Sequence, residues 1–155
     1  MPEKSTVEKA KEDLREGKSP STAAGEFVHE EIEHVRHGKH GARSPQQAIA
    51  IGLSKARRAG IPLKPPRRGR SSEGTRKRAE RDYDRGRSSS GRKPSPRRSR
   101  SRERALKREP HSTASHSALS RQAHRAAGRR SRASRSSASR RAATTRRRRR
   151  AHRGN

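Results

Sequence analysis

Apolar side chains are sparse in this chain, and they recur at clear helical spacing only within its first 63 positions. The best-defined element is S-P-Q-Q-A-I-A-I-G-L-S-K-A-R-R-A-G, Ser44–Gly60. Ile49, Gly52, Leu53 and Ala56 fall at i, i+3, i+4 and i+7, one face of a helix. Ser44 can accept from the first free backbone N–H groups, Pro45 suits the first helical position, and Gln47 closes a capping box. Arg57 and Arg58 stand in the last turn, where cations suit the helix dipole. Gly60 provides a left-handed residue after the helix, and Pro62 prevents continuation. Ile49, Ile51 and Leu53 also alternate as a strand would, but the caps and the alanine content select helix.

Upstream, Ser5-Thr-Val-Glu8 reads as a capping box for a short helix. Val7, Ala10 and Leu14 line one of its faces and Gly17 ends it. Lys18–Thr22 is a turn, after which Thr22 or Ser21 caps a second helix with Glu26 in its first turns. Ala24, Val28, Ile32 and Val35 form its buried stripe, with Phe27 at the edge and Gly38 as the stop. His37–Gly41 is a glycine-punctuated loop, and Ile61–Pro66 is a stiff exit linker. The fold expected is therefore an all-α small head of two to three short helices over residues 1–66. Its core is thin for its size, so it is expected to be stabilised by self-association or by a protein partner, or to remain partly molten.

Beyond Pro66 the text turns to Arg, Ser, Gly and Pro, and residues 67–155 read as a largely disordered basic tail. Transient helices are expected near 72–85, where mixed charges allow i,i+4 pairs, and near 112–127. In the second, Ala114, Ala118, Leu119 and Ala126 suggest a helix that can form once phosphates neutralise its basic face. Ser88–Glu103 is expected to be extended.

Composition sharpens this division. Only 23% of the 155 residues are hydrophobic and 1% aromatic, against roughly 45–50% apolar in globular domains. The chain carries 44 Lys and Arg against 15 Asp and Glu, a net charge of +29, and no acid follows Glu109. Charge so far from zero calls for a polyanionic partner, nucleic acid before an anionic membrane. The absence of cysteine excludes disulfides, thiolate metal sites and a cysteine nucleophile. No apolar run is long enough to span a bilayer and the first residues hold no secretory signal, so a cytoplasmic, nucleoid location is expected.

Three stretches together carry a resemblance. They are E-K-x-x-V-E-K-A near the start, R-E-G-K-S-P-S-T-x-A-G-E-F-V-x-E-E-I at Arg15–Ile32, and H-G-K-H-G-A-R-S-x-x-Q-A-I-A-I-G-L-S-K-A-R-R-A-G at His37–Gly60. Ala105–Glu109 and Ser115–Ala123 add to it. The chain resembles a family of small bacterial proteins of unknown function, in which a short N-terminal helical domain is joined to a basic tail similar to that of bacterial linker-histone-like proteins. The resemblance implies little about function, since it brings no assigned activity for the head.

The chemistry the residues offer is phosphate neutralisation, in which each Lys or Arg that meets a phosphate releases a condensed counterion. Arginine also gives bidentate contacts. The candidate contacts are Arg57 and Arg58 at the end of the head helix and Arg67, Arg68 and Arg70 in the linker. Further along they are Arg97, Arg98, Arg100 and Arg102, then Arg129, Arg130, Arg140 and Arg141, and finally the run Arg146, Arg147, Arg148, Arg149 and Arg150. Lys39, His40 and Arg43, just ahead of a helix N-terminus, are candidate phosphate contacts of the head. Nothing reads bases, since there is no zinc finger, no helix-turn-helix and no stacking platform.

His29, His34, His37 and His40 lie among Glu26, Glu30, Glu31 and Glu33. Glu31-Ile-Glu-His34 has the E-x-x-H spacing of carboxylate-bridged metal sites, but it occurs once. The i,i+4 Glu/His pairs favour a solvated ion-pair face, and no metal or other cofactor is assigned. Serines in Ser-Pro and Arg-Ser contexts, such as Ser95, Ser99 and Ser101, read as unmodified spacers. No nucleophile–base set is present, so the protein is read as a non-enzyme. The expected function is nonspecific DNA binding and nucleoid compaction, with DNA placed before RNA. The alternatives are RNA or ribosome association, and a protein-interaction head with the tail as an electrostatic tether.

Overall fold

A computed structural model describes residues 2–88 and 95–153, with the side chains of residues 133, 135, 138 and 148–153 outside that description. The elements in chain order are α1 (Lys4–Arg15), α2 (Pro20–Arg36), α3 (Pro45–Arg58), α4 (Glu73–Arg87), α5 (Pro96–Lys107), a 3-10 turn at Ser112–Ala114, α6 (His116–Gly128) and α7 (Arg132–Arg153). The all-α expectation holds for the described residues. The number of helices does not: seven α-helices replace the expected two to three, and four of them lie beyond Pro66.

Local chemistry accounts for two of the additional helices. Ser72 Oγ accepts from the Thr75 N–H at 3.2 Å and caps α4. Arg76 then reaches Glu73 at 2.8 Å and Glu80 at 3.5 Å. In α5, Pro96 occupies the first turn and Lys107 pairs with Glu103 at 2.9 Å across one turn. Pro96–Glu103 is thus helical rather than extended, while residues 89–94 of that expected stretch lie outside the described residues.

The head helices form where the pattern placed them, with corrected caps and faces. Helix α1 starts at Lys4 after Glu3, so Ser5 is an internal residue rather than its cap. Helix α2 is capped by Ser19, not by Ser21 or Thr22, and Ser19 Oγ accepts from the Thr22 N–H at 3.3 Å. Pro20 in its first turn makes the earlier start favourable. Helix α3 keeps its expected cap, Ser44 Oγ to the Gln47 N–H at 3.2 Å. Gln47 Oε1 returns to the Arg43 N–H at 2.8 Å, one residue ahead of the box geometry. Gly60 takes φ +88°, the left-handed stop.

The buried faces are made of small residues. On α3 they are Ala48, Gly52 and Ala56, while Ile49 and Leu53 sit half-buried at the flank. On α2, Phe27 is central and fully buried rather than at the edge, and Val28 and Ile32 are only partly covered. The reason is the approach of α3 to α2. A Cβ on Gly52 would stand 2.7 Å from Val28 Cα and 2.9 Å from the Phe27 carbonyl oxygen. Backbones this close leave room between the axes only for Ala and Gly, so the larger side chains close the edges.

Two clusters result. Phe27, Ala10, Ala23, Ala24, Ala56 and Ile61 form the first, flanked by Val7, Leu14, Leu53, Ala59 and Leu63. Ile61 and Leu63 therefore fold the exit linker back over the core. Val35, Ala42, Ala48 and Ala114 form the second, with Ile32 beside them.

Contacts divide the chain at Ser115. The first unit extends past the diproline because two later segments pack onto the head. Helix α4 lies on α3 through Ala79 and through Gly86, where a Cβ would meet the Arg57 carbonyl oxygen at 1.9 Å. Asp82 accepts a hydrogen bond from Ser54. Residues 106–114 clasp the loop after α2. Gly41 N–H donates to the Leu106 carbonyl at 2.9 Å, Ala42 N–H to Pro110 at 3.1 Å, and Thr113 Oγ1 to Ala42 at 2.9 Å. Arg36 Nε donates to the Ala114 carbonyl at 2.9 Å. The second unit, from His116, contains α6 and α7, and no residue of α6 is buried.

Candidate nucleic-acid interface and a buried acidic cluster

The arginines of α5 and α7 project from helices with no buried residue among those whose side chains are described. Arg97, Arg98, Arg100 and Arg102 are exposed, and no residue of α5 is buried. The single acid of that helix, Glu103, is held below the usual carboxylate range by its hydrogen bond to Lys107. Helix α7 has arginine at ten of its 22 positions and no carboxylate. Arg140, Arg141, Arg146 and Arg147 are exposed there, and Arg148, Arg149 and Arg150 belong to the same helix. Arg129 and Arg130 are exposed in the turn between α6 and α7. At 1.5 Å per residue α7 is about 33 Å long.

Arg67, Arg68 and Arg70 are exposed in a turn closed by Arg70 N–H to the Arg67 carbonyl at 3.1 Å. Arg57 and Arg58 stand differently. Arg57 is 9% exposed and donates from Nε to the Leu63 carbonyl at 3.1 Å. Burial pushes its pKa down, with the Asp82 charge opposing. Arg58 Nε lies 3.5 Å from Asp82 and donates to the Ser54 carbonyl at 3.2 Å. Both guanidiniums hold α3, α4 and the exit linker together.

The three candidate phosphate contacts of the head each meet a carboxylate. Lys39 Nζ lies 3.1 Å from Glu3 Oε1, Arg43 lies 3.3 Å from Glu109, and His40 Nε2 lies 3.2 Å from Glu31 Oε1. Arg43 keeps 80% of its side chain in solvent and Lys39 57%, whereas His40 keeps 16%. Lys39 first, then His34, lowers the pKa of Glu3 through side-chain hydrogen bonds.

Behind this loop sits a cluster that the sequence reading did not assemble. Glu31 is 0% exposed. Lys55 Nζ, one turn after Gly52 on α3, approaches Glu31 Oε2 at 2.6 Å and Glu30 Oε1 at 3.5 Å. Glu30 is itself buried. His34 Nε2 lies 3.2 Å from Glu3 Oε1 and 3.9 Å from Glu30 Oε1. The rings of His34 and His40 stand edge to face with centroids 6.2 Å apart. A cavity of about 310 Å³ between α1, α2 and the following loop opens beside them, lined among others by Glu3, Glu30 and His34. The E-x-x-H spacing was the sequence signal for half of this cluster. The sequence groups His40 with these residues but gives no signal for Lys55; a loop turn at Gly38 (φ +73°) and the α2–α3 crossing bring the two to Glu31.

No helix among the described residues is long and apolar enough to cross a membrane. No family model, curated protein or solved structure matches this chain.

Proposed function

We propose that this protein binds nucleic acid without sequence preference, duplex DNA above RNA, and compacts it in the nucleoid by neutralising phosphates. The observation that supports this most is α7, whose ten arginines share a helix, and a unit, devoid of acidic side chains. Such a helix has no internal neutralisation, and phosphates are the abundant anions that match guanidinium geometry. A rod about 33 Å long fits the major groove of B-form DNA, whereas the A-form major groove is too narrow to admit one. The exposed arginines of α5 provide a second contact surface on the first unit. The finer architectural reading goes with this: a small helical head, with an Arg-rich tail whose helices are completed on the polyanion. RNA or ribosome association is the competing outcome.

The test is binding of the full chain to duplex DNA and to structured RNA across a salt series. The expected result is tighter binding to the duplex with log K falling by about 0.9 per phosphate contact. A full-length variant with Arg146–Arg150 changed to Gln should have a slope shallower by about 4. Preference for RNA transfers the function to ribonucleoprotein, and an unchanged slope in the variant removes α7 from the interface.

A further inference from the structure

We infer that Glu31, His34 and His40 form a binding site for a divalent transition-metal ion of the zinc type. One carboxylate oxygen of Glu31 and one ring nitrogen of each histidine lie within 4.8 Å of one another. Two imidazoles and a carboxylate are a donor set that zinc accepts, at about 2.0–2.2 Å per bond. Tetrahedral ligands at that radius stand about 3.3 Å apart. The Glu31 Oε1 to His40 Nε2 edge is already 3.2 Å.

The state of Glu31 is the independent observation. Both of its oxygens are buried and neither makes a hydrogen bond. The 2.6 Å Lys55 contact and the 3.2 Å His40 contact are ion-pair distances without donor alignment. A buried carboxylate without hydrogen bonds is costly. His40 adds to this. Its Nδ1 lies 3.0 Å from the Gly41 carbonyl, which can only accept, so Nδ1 carries the hydrogen. In the neutral ring Nε2 is then a lone pair beside a carboxylate oxygen, and a cation between the two removes the repulsion.

Charge counting points the same way. Glu30 and Glu31 are both buried and share one cation, Lys55, while Glu3 is matched by Lys39. With His34 and His40 neutral, as metal ligation requires, one buried negative charge is left for the ion to balance. The surrounding contacts resemble the outer shell that ligating groups use. Lys55 fixes Oε2 and so turns Oε1 towards His40. Glu3 holds the His34 ring, and the Gly41 carbonyl holds His40. Of the three ligands His34 borders the cavity of about 310 Å³ between α1 and α2. Bound by all three, the ion would pin the 37–44 loop to α2.

The experiment is titration of the full-length, nucleic-acid-free protein with Zn2+ by calorimetry and with Co2+ by visible absorption. One equivalent of tight binding and cobalt d–d bands of low-symmetry four- or five-coordination are expected. The thermal midpoint should rise by about 10 °C at a hundredfold excess over Kd. His34→Gln and His40→Gln should each weaken that equivalent at least about a hundredfold, and Lys55→Met about tenfold. His116→Gln and His124→Gln, in the second unit, should leave it unchanged. Circular dichroism identifies any variant that fails to fold. His34→Gln, whose ring borders the cavity rather than the core, is the variant for which folding is secure. Absence of a tight equivalent in the wild type, or its survival within threefold in folded His34→Gln, overturns the inference.

Discussion

Gly52 of α3 rests against the backbone of Val28 of α2, so that a Cβ on Gly52 would lie 2.7 Å from Val28 Cα. This contact sets more than the packing of two helices. Lys55 follows Gly52 by three residues and Glu31 follows Val28 by three, so the same crossing seats the ammonium 2.6 Å from the buried carboxylate. The core and the acidic cluster therefore depend on one small residue.

Gly52→Ala should destabilise the first unit by about 1–3 kcal/mol, because the new methyl meets backbone that cannot rotate away. The effect runs against helix propensity, which favours alanine by about 1 kcal/mol. Gly25→Ala, on the same pair of helices but with nothing within 4 Å of its Cβ, should be neutral or stabilising. Urea denaturation of the two full-length variants gives the comparison, and equal effects would remove the steric argument.

Lys55→Met leaves Glu31 and Glu30 buried without their shared cation. A loss of about 3 kcal/mol is expected. Adding Glu31→Gln to Lys55→Met should recover part of it, so a double-mutant cycle reads the coupling directly. A cycle that closes to zero would show that the pair is not coupled.

Lys18 follows α1, and its ammonium pairs with Asp13 and lies 2.7 Å from Glu16. Hydrogen bonds to Asp13, then to Glu16, raise its pKa above the ordinary lysine value. A raised folded-state pKa stabilises the fold below the unfolded pKa, and that stabilisation is lost as pH climbs through the folded value. The stability difference between wild type and Lys18→Met should thus be constant from about pH 7 to 9 and shrink above about pH 10.4. Thermal melts across this range test it, and a difference that grows with pH contradicts the assignment.

Arg57 and the α7 arginines should separate cleanly. Arg57→Gln removes a buried donor to the Leu63 carbonyl and should lower stability by about 1–3 kcal/mol. It should leave the salt dependence of DNA binding unchanged within about 0.5 of slope. Loss of slope without loss of stability would place Arg57 at the nucleic acid.

Gly41→Ala should release the 106–114 clasp, since its Cβ would sit 1.7 Å from the Glu109 carbonyl oxygen. Hydrogen exchange at Ala42 and Gly41, whose N–H groups donate to Pro110 and Leu106, should accelerate while the α2–α3 core stays protected. Protection unchanged at both amides would count against the clasp.

Local signals were legible in the sequence because they act within a few residues. Ser44, Pro45 and Gly60 bound α3 as read, and the i,i+4 charges of 72–85 foretold α4, observed at Glu73–Arg87. The helix over Pro96–Lys107 has no side-chain cap to mark its start, and its low-complexity text reads as extended from composition.

By itself the sequence determined a helical head, the cation excess and its position, and the ends of the best-capped helix, all of which follow from composition and short-range hydrogen bonding. Tertiary structure alone decided that Ala48 joins Gly52 and Ala56 against α2 while the larger Ile49 and Leu53 close the flank. It also decided that Arg57 faces inward, and that His40 and Lys55 converge on Glu31. The physical reason is common to all three. Each depends on how closely two backbones approach, and that distance is set by small side chains far apart in the chain, which no local pattern records.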